Sequence, residues 1–436
     1  MIQKLLISII CAVFVSQNNY SQDSLSLNDA IQVGLKQNYD ILISQKNFEI
    51  NELYNCWGEA GRYPSIDIGA SQGNNISDQS NNPTSFIQEL LKSNSFEAST
   101  NLSWTIFNGF KVKANKLRLE ELVRQSDGML SLTIENTIHG IIISYYQVQL
   151  QREKLSLLKN VLDLSREKYK YQENKNELGL TVSFDLLQYE SAYLTDSSNL
   201  ILQELAFKNS VRNLNLIMGV DIEKPWLLTT HINPETKLYS YDDLKQKALS
   251  NNSNIINQNI NLNLLKQDIE IAKSSFYPVV SFNSGTNYNL SSYKIASYDR
   301  ASGASINYYG NFTLSFRIYD GGKVKRAIKA LEIQNEITNL ETEKLSKNIT
   351  NELAITFDMY QTRLRLFDLN KKAFTVAQKN FDIAKLKENN GLINSFDLRD
   401  IEMAYLSAGI LLFESSYNLI ESNTTLLKLT GGIIQE

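Results

Sequence analysis

Side chains that could carry covalent or metal chemistry are scarce in this chain, and their spacing suits neither. The only histidines are His139 and His231, which share no metal-ligand spacing, and no Gly-x-Ser-x-Gly elbow or phosphate-binding loop occurs. Cys11 lies within an N-terminal apolar run, so Cys56 is the one thiol beyond it and no disulfide can close inside the mature chain. Catalysis, a metal centre and a cofactor are therefore not expected, and Cys56 is expected to pack at the end of the first helix. What stands out instead is a set of carboxylates behind two turns. Asp185 follows Gly179-Leu180-Thr181-Val182-Ser183-Phe184, and Asp397 follows Gly391-Leu392-Ile393-Asn394-Ser395-Phe396. Gly179 and Gly391 supply the left-handed residue that ends a helix, and Ser183 and Ser395 are expected to cap the helices that return. A carboxylate two residues beyond such a cap gains about 0.3–1 kcal/mol from the helix dipole. Asp400 lies a turn deeper, where capping does not account for it, and the matching position behind the first turn is Gln188.

The two turns are one motif written twice. With Leu186 and Leu398 included, six of eight positions are identical at a shift of 212 residues. The same shift carries Ile106-Phe107-Asn108-Gly109-Phe110-Lys111-Val112 onto Ile318-Tyr319-Asp320-Gly321-Gly322-Lys323-Val324, and Gly219 onto Gly431. Upstream a shift of 214 pairs Tyr63-Pro64 with Tyr277-Pro278 and Asn38 with Asn252. One unit of about two hundred residues is duplicated, which implies a fold with internal two-fold pseudosymmetry.

The 436 residues include five prolines, which points to long helices rather than many short elements. A net charge of −4, with acids and bases nearly balanced, argues against nucleic acid or another polyanion as partner. Residues 1–22 read as a signal peptide: Lys4, an apolar run from Leu5 to Val15, then polar Ser16 to Gln22, with cleavage near Ser21. Lipidation of Cys11 is the alternative, although Ile10 precedes it where a small residue is wanted. No later window offers the roughly 20 apolar residues of a spanning helix, so strands or a surface face must make any membrane contact.

Each half reads as helix, strand, loop, strand, very long helix, turn, helix. The first repeat covers 23–220, with a helix from Leu27 to Arg62, a β-hairpin at 64–107, a long helix at 111–177 and a return helix at 183–218. An inter-repeat linker follows at 221–241. The second repeat covers 242–436, with a β-hairpin at 278–319, a long helix at 323–389 and a return helix at 395–430. The strands show period two: Phe96, Ala98, Leu102, Trp104 and Ile106 alternate with Glu97, Ser99, Asn101, Ser103 and Thr105, and Phe312, Leu314, Phe316 and Ile318 with Asn311, Thr313, Ser315 and Arg317. Four strands of about ten residues result, the length that crosses a bilayer when tilted. Polar loops are expected at Gln72–Ser95, with a short helix at Phe86–Lys92, and at Ser291–Ser305. At 1.5 Å per residue each long helix reaches about 100 Å, and its three-and-four apolar spacing predicts antiparallel coiled coils.

Four spanning strands cannot close a barrel, because an open edge in hydrocarbon leaves backbone groups unpaired. Two copies would give eight strands filled by side chains. Three would give twelve and leave room for a water-filled lumen, which suits rows of Asn, Ser and Thr on the inward face. The fold class expected is thus an α+β membrane protein. It is a trimeric twelve-stranded β-barrel, four strands per chain, continuous with a twelve-helix α-barrel of long hairpins. Arg317 is expected to face the lumen, and Trp104 and Phe316 to lie at the lipid headgroups or to pack where strand meets helix.

The duplicated half, the Tyr-Pro before each first strand, the Asn108-Gly109 and Asp320-Gly321 exits into long helices and the two Gly-Leu-x-x-Ser-Phe-Asp-Leu turns together resemble the TolC-type outer-membrane efflux proteins, over about Leu25 to Gly432. The resemblance implies a homotrimeric channel-tunnel in the outer membrane of a Gram-negative bacterium, extending into the periplasm. It also implies docking to an inner-membrane transporter through a periplasmic adaptor protein. By the same resemblance Asp185, Asp397 and Asp400 line a periplasmic gate, where a ring of carboxylates would favour cations. Lys385, Lys387, Glu388 and Arg399 are placed to link neighbouring hairpins. The mid-tunnel belt is expected to be reduced, since the linker is short. An exported structural coiled coil would explain the repeat and the helices but not four alternating strands, and a periplasmic adaptor would need β domains that are missing. The transported substrate is not encoded in any recognisable motif.

Overall fold

The computed structural model describes residues 23–179, 183–295, 298–390 and 392–433; the leader expected at 1–22 and the turn glycine Gly391 lie outside the described residues. The chain divides into two compact units, and neither coincides with one sequence repeat. Met1–Leu42, Thr133–Ala248 and Asn351–Glu436 form the first, Ile43–Leu132 and Leu249–Thr350 the second. Each repeat contributes to both.

The second unit holds the sheet. Strands β2 (Ser65–Asp78), β3 (Leu90–Asn108), β5 (Val279–Ile295) and β6 (Tyr298–Ser315) pair antiparallel in that order. Register puts Ile66 opposite Leu102, Ala98 opposite Tyr288, Trp104 opposite Phe282 and Phe282 opposite Phe312. The other face pairs Asp67 with Asn101, Ser99 with Asn287 and Asn283 with Asn311. Because side chains alternate at every step, pairing in this register sorts the sheet into one apolar and one polar face. On the apolar face Ile68 is 84% exposed, Phe312 74% and Leu314 70%. Among the described residues, edge strands β2 and β6 have no partner on their outer sides.

The strands have 14, 19, 17 and 18 residues rather than about ten. The Asn- and Ser-rich stretches that read as loops continue the ladder, since backbone hydrogen bonds do not require apolar side chains. The helix expected at Phe86–Lys92 is not formed: Leu90, Leu91 and Lys92 belong to β3 and pair with Asp78, Ser77 and Ile76. Phe316, expected late in a strand, lies one residue beyond the end of β6. Cys56 is exposed rather than packed, and its Sγ accepts from the Glu59 amide at 3.5 Å.

Both strand exits use the same device. Gly109 has φ 67°, and a Cβ there would meet the Ser274 carbonyl oxygen at 2.3 Å. The helix that follows, α3 (Lys111–Glu177), is capped by Asn108 Oδ1 accepting from the Val112 amide at 3.3 Å. In the second repeat Gly321 has φ 70°, and Asp320 accepts from the amides of Gly322, Lys323 and Val324 at 2.8, 3.1 and 2.9 Å. These bonds take up the free amides that begin α7 (Lys323–Asn389).

The first unit contains β1 (Asp23–Leu25), α1 (Leu27–Gln37), the return helices α4 (Ser183–Met218) and α8 (Ser395–Leu429), and β4 (Trp226–Leu228). The first helix is therefore not continuous to Arg62: it breaks at Asn38, and α2 (Tyr39–Tyr54) follows. Asn38 Nδ2 donates to the Ile217 carbonyl at 2.8 Å, and its Oδ1 accepts from the Ile41 amide at 3.0 Å. Asn252 makes the equivalent break between α5 (Tyr241–Asn251) and α6 (Ser253–Lys273), capping α6 through the Asn254 amide. The segment between the repeats is folded: β4 pairs parallel with β1. Leu25, Ala30, Ile141, Tyr145, Val148, Leu214, Met218 and Leu228 bury one another beneath that pair. The Tyr145 hydroxyl donates to the Leu25 carbonyl at 2.9 Å and accepts from the Thr230 amide at 3.1 Å, so the buried phenol has both partners. No helix among the described residues is long and apolar enough to cross a membrane.

Candidate functional site

The carboxylates singled out by the sequence lie at the turn ends of two helical hairpins, α3 with α4 and α7 with α8, and the three carboxylates belong to the first unit. Gly179, two residues past the end of α3, has φ 70°, its amide donating to the Asn176 carbonyl at 3.0 Å. In the second, the Leu392 amide closes back on the Lys387 carbonyl at 2.9 Å.

The cap of α8 is Asn394 rather than Ser395: Asn394 Oδ1 accepts from the Asp397 amide at 2.9 Å. Asparagine is among the best capping residues, and its side chain takes the bond that Ser395 was expected to make. Ser395 becomes the first helical residue and lines one recess with Tyr189 of α4. Ser183 likewise opens α4 as its first residue. Phe184 and Phe396, equivalent in the repeat, meet with ring centroids 5.9 Å apart.

Asp185 is half-buried, whereas Asp397 and Asp400 are exposed. Asp185 and Asp397 each follow a ring of that aromatic pair. Among the described residues no ion pair ties any of the three. The residues that the protomer does bring together were read only in part. Arg399 forks onto Asp196 of α4, Nη1 to Oδ2 at 2.8 Å and Nη2 to Oδ1 at 2.7 Å, and its Nη1 also reaches Glu402 at 2.9 Å. Asp196 is 0% exposed, and the Ser165 hydroxyl of α3 donates to its Oδ2. Lys168 of α3 binds Glu388 of α7, joining the two hairpins a second time. Lys385 and Lys387, expected to make such links, are exposed. Burial pushes the Glu402 carboxyl above the usual range, against the downward pull of Arg399.

Asp196, Ser165, Lys168, Tyr189 and Glu402 were not singled out by sequence. A signal for the central pair did exist. At the repeat shift, Arg399 falls on Leu187 and Asp196 on Ala408, so each member breaks the symmetry as Asp400 does.

Trp104 lies on the apolar face of the sheet, and its Nε1 donates to the Arg62 carbonyl at 2.9 Å, where strand meets helix. Phe316 is exposed beyond β6.

A four-stranded sheet with one greasy and one wet face, joined to paired helices of 67 residues, defines an α+β membrane-channel fold. Solved structures agree in fold. The CmeC outer membrane channel of Campylobacter jejuni superposes with a TM-score of 0.72 at 18% identity, covering 93% of this chain and 85% of that one. The open-state MtrE outer membrane channel of Neisseria gonorrhoeae gives 0.68 at 13% identity, covering 93% and 89%. The outer membrane protein TolC of Vibrio cholerae is 19% identical over 378 residues, 86% of this chain and 83% of its own. The family described as outer membrane efflux protein matches residues 57–220 and 244–432. The chain belongs to that family. It is an outer-membrane efflux channel, and its family is one of transport channels rather than enzymes.

Proposed function

We propose that three copies of this chain close their four-stranded sheets into one twelve-stranded barrel, as the passive exit duct of a tripartite efflux or type I secretion system. The single observation that carries this is the sheet itself. Among the described residues nothing covers its apolar face or pairs with either edge, a state that hydrocarbon tolerates only when a neighbour's β2 completes β6 and the ring closes. Its opposite face of Asn, Ser and Thr then lines water. The helices lie on the periplasmic side, with a periplasmic adaptor protein and an inner-membrane transporter as partners and outer-membrane lipid around the sheet. Trp104 and Phe316 form the girdle at the helical end of the barrel.

The turn ends are the gate. Asp400, with Asp185 and Asp397, faces the axis, where three copies bring like charges together and favour cations. Arg399, Asp196, Lys168 and Glu388 tie one hairpin to the other and hold the narrow state, and opening separates them. The test is electrical: purified chain in planar bilayers is expected to give discrete ohmic, cation-selective steps. Membranes that stay insulating at every protein concentration would contradict the duct.

A further inference from the structure

At the end of the sheet farthest from the helices, three cations converge on the apolar face. Lys92 of β3 lies between Phe96 and the strand end, on the face of Phe96 and Leu290, and is directly opposite Lys294 of β5. Like charges directly opposed across strands destabilise a pair unless something lies between them. On the other side of Lys294 the β5–β6 register shifts between Tyr293 and Ile295, which pair with Ala301 and Tyr298. Asp299 and Arg300 therefore stand against Lys294 alone, and such a bulge re-aims side chains. Arg300 Nη2 donates to Ser292 Oγ at 2.9 Å, and Arg300 lines the same recess as both lysines. Lys92, Lys294, Asp299, Arg300, Asn94 and Ser292 line one recess of about 510 Å³. Three cations against one carboxylate leave it positive, a local imbalance hidden by the nearly neutral sum over the whole chain.

We propose that this recess binds the phosphate of a phosphorylated glycolipid in the outer leaflet of the outer membrane. The proposal rests on the barrel reading above, which sets this end outward. Position selects the source of the phosphate. Trp104 to Lys92 is about 40 Å of strand at roughly 3.3 Å per residue, or about 30 Å across a bilayer at a tilt near 40°. The cations thus stand one hydrocarbon thickness from the aromatic at the other end, beside the acyl chains that cover Phe96 and Leu290. Guanidinium and ammonium groups around one phosphate give charge-assisted bonds, with the guanidinium able to bind bidentately. Asn94 and Ser292 add neutral partners.

The test uses the detergent-solubilised full chain, with binding of diphosphoryl lipid A, enzymatically dephosphorylated lipid A and inorganic pyrophosphate measured by native mass spectrometry. Diphosphoryl lipid A is expected to bind at least 10-fold tighter than the dephosphorylated lipid. Lys92→Gln/Lys294→Gln/Arg300→Gln is expected to abolish that preference, and Lys92→Arg/Lys294→Arg to keep it. Equal binding of the two lipids, or an unchanged preference in the triple Gln variant, would overturn the site. Pyrophosphate binding as tightly as the diphosphoryl lipid would overturn the lipid source. Bilayer conductance of the same preparations separates the two readings: steps without a phosphate preference remove only the lipid site, whereas no steps remove the duct.

Discussion

Arg399 and Asp196 meet in a two-pronged bond across 203 residues of sequence, and neither has a charged equivalent in the other repeat. The duplicated chain supplied the scaffold twice, with Phe184 against Phe396 marking where its halves meet. The ionic tie was added to one copy only. A fully buried carboxylate is tolerable because a guanidinium and a hydroxyl hold it.

Arg399→Leu strands Asp196 in the interior. A broken buried pair costs about 3–5 kcal/mol, and the partial exposure of Arg399 places this one near the lower bound. The double variant Asp196→Leu/Arg399→Leu recovers part of that loss, because two apolar residues need no partners while Glu402 still loses its guanidinium. Thermal unfolding followed by circular dichroism checks both. If the tie also holds the turn ends, the single variant conducts more than the wild type in planar bilayers.

Glu402 gives a pH signature. Its folded carboxyl titrates above the ordinary value near 4.3, with burial as the main cause and Arg399, Asp196 and Lys168 as the charges around it. Between the ordinary and the raised value the folded state holds the extra proton, so stability falls as pH rises through that window. Glu402→Gln removes this slope. The variant is expected to match the wild type in melting temperature at pH 4 and to equal or exceed it at pH 7. A wild-type melting temperature that rises across the same window would contradict the assignment.

Asp400 is exposed, so its removal leaves stability nearly unchanged and acts on permeation. Asp400→Ala is expected to lower the cation-to-anion permeability ratio and weaken block by divalent cations. Reversal potentials in a salt gradient read both, and identical values in variant and wild type would remove Asp400 from the gate.

Two glycines with nearly the same φ provide a packing control. Gly219 has φ 72° and a Cβ there would meet the Gln37 carbonyl oxygen at 2.3 Å, whereas Gly179 has φ 70° with nothing within 4 Å. Gly179→Ala is expected to cost about 1 kcal/mol, the left-handed strain alone. Gly219→Ala adds a backbone collision and is expected to cost more than twice as much, measured by denaturant melts.

The fold class was legible because both of its periods are strong. Alternation at Phe96 to Ile106 placed one face of a strand, and the observed register extends that face across all four strands. Strand ends were not legible, because Asn74, Asn75, Asn94 and Ser95 are paired in the ladder yet have the composition of a turn. The break at Asn38 was hidden for a related reason: an asparagine inside a helical pattern looks like a tolerated polar residue until Ile217 is seen to accept its amide. At the turn ends, local rules placed the helix starts but chose Ser395 over Asn394 as the cap. They could not find Asp196, whose partners Ser165 and Arg399 lie far away in sequence.

Detergent-corrected light scattering on the purified, leader-free chain tests the central claim most directly, since an open four-stranded sheet must find partners and a completed one need not. A single species of three protomers is expected. A monodisperse monomer in water without detergent would contradict it.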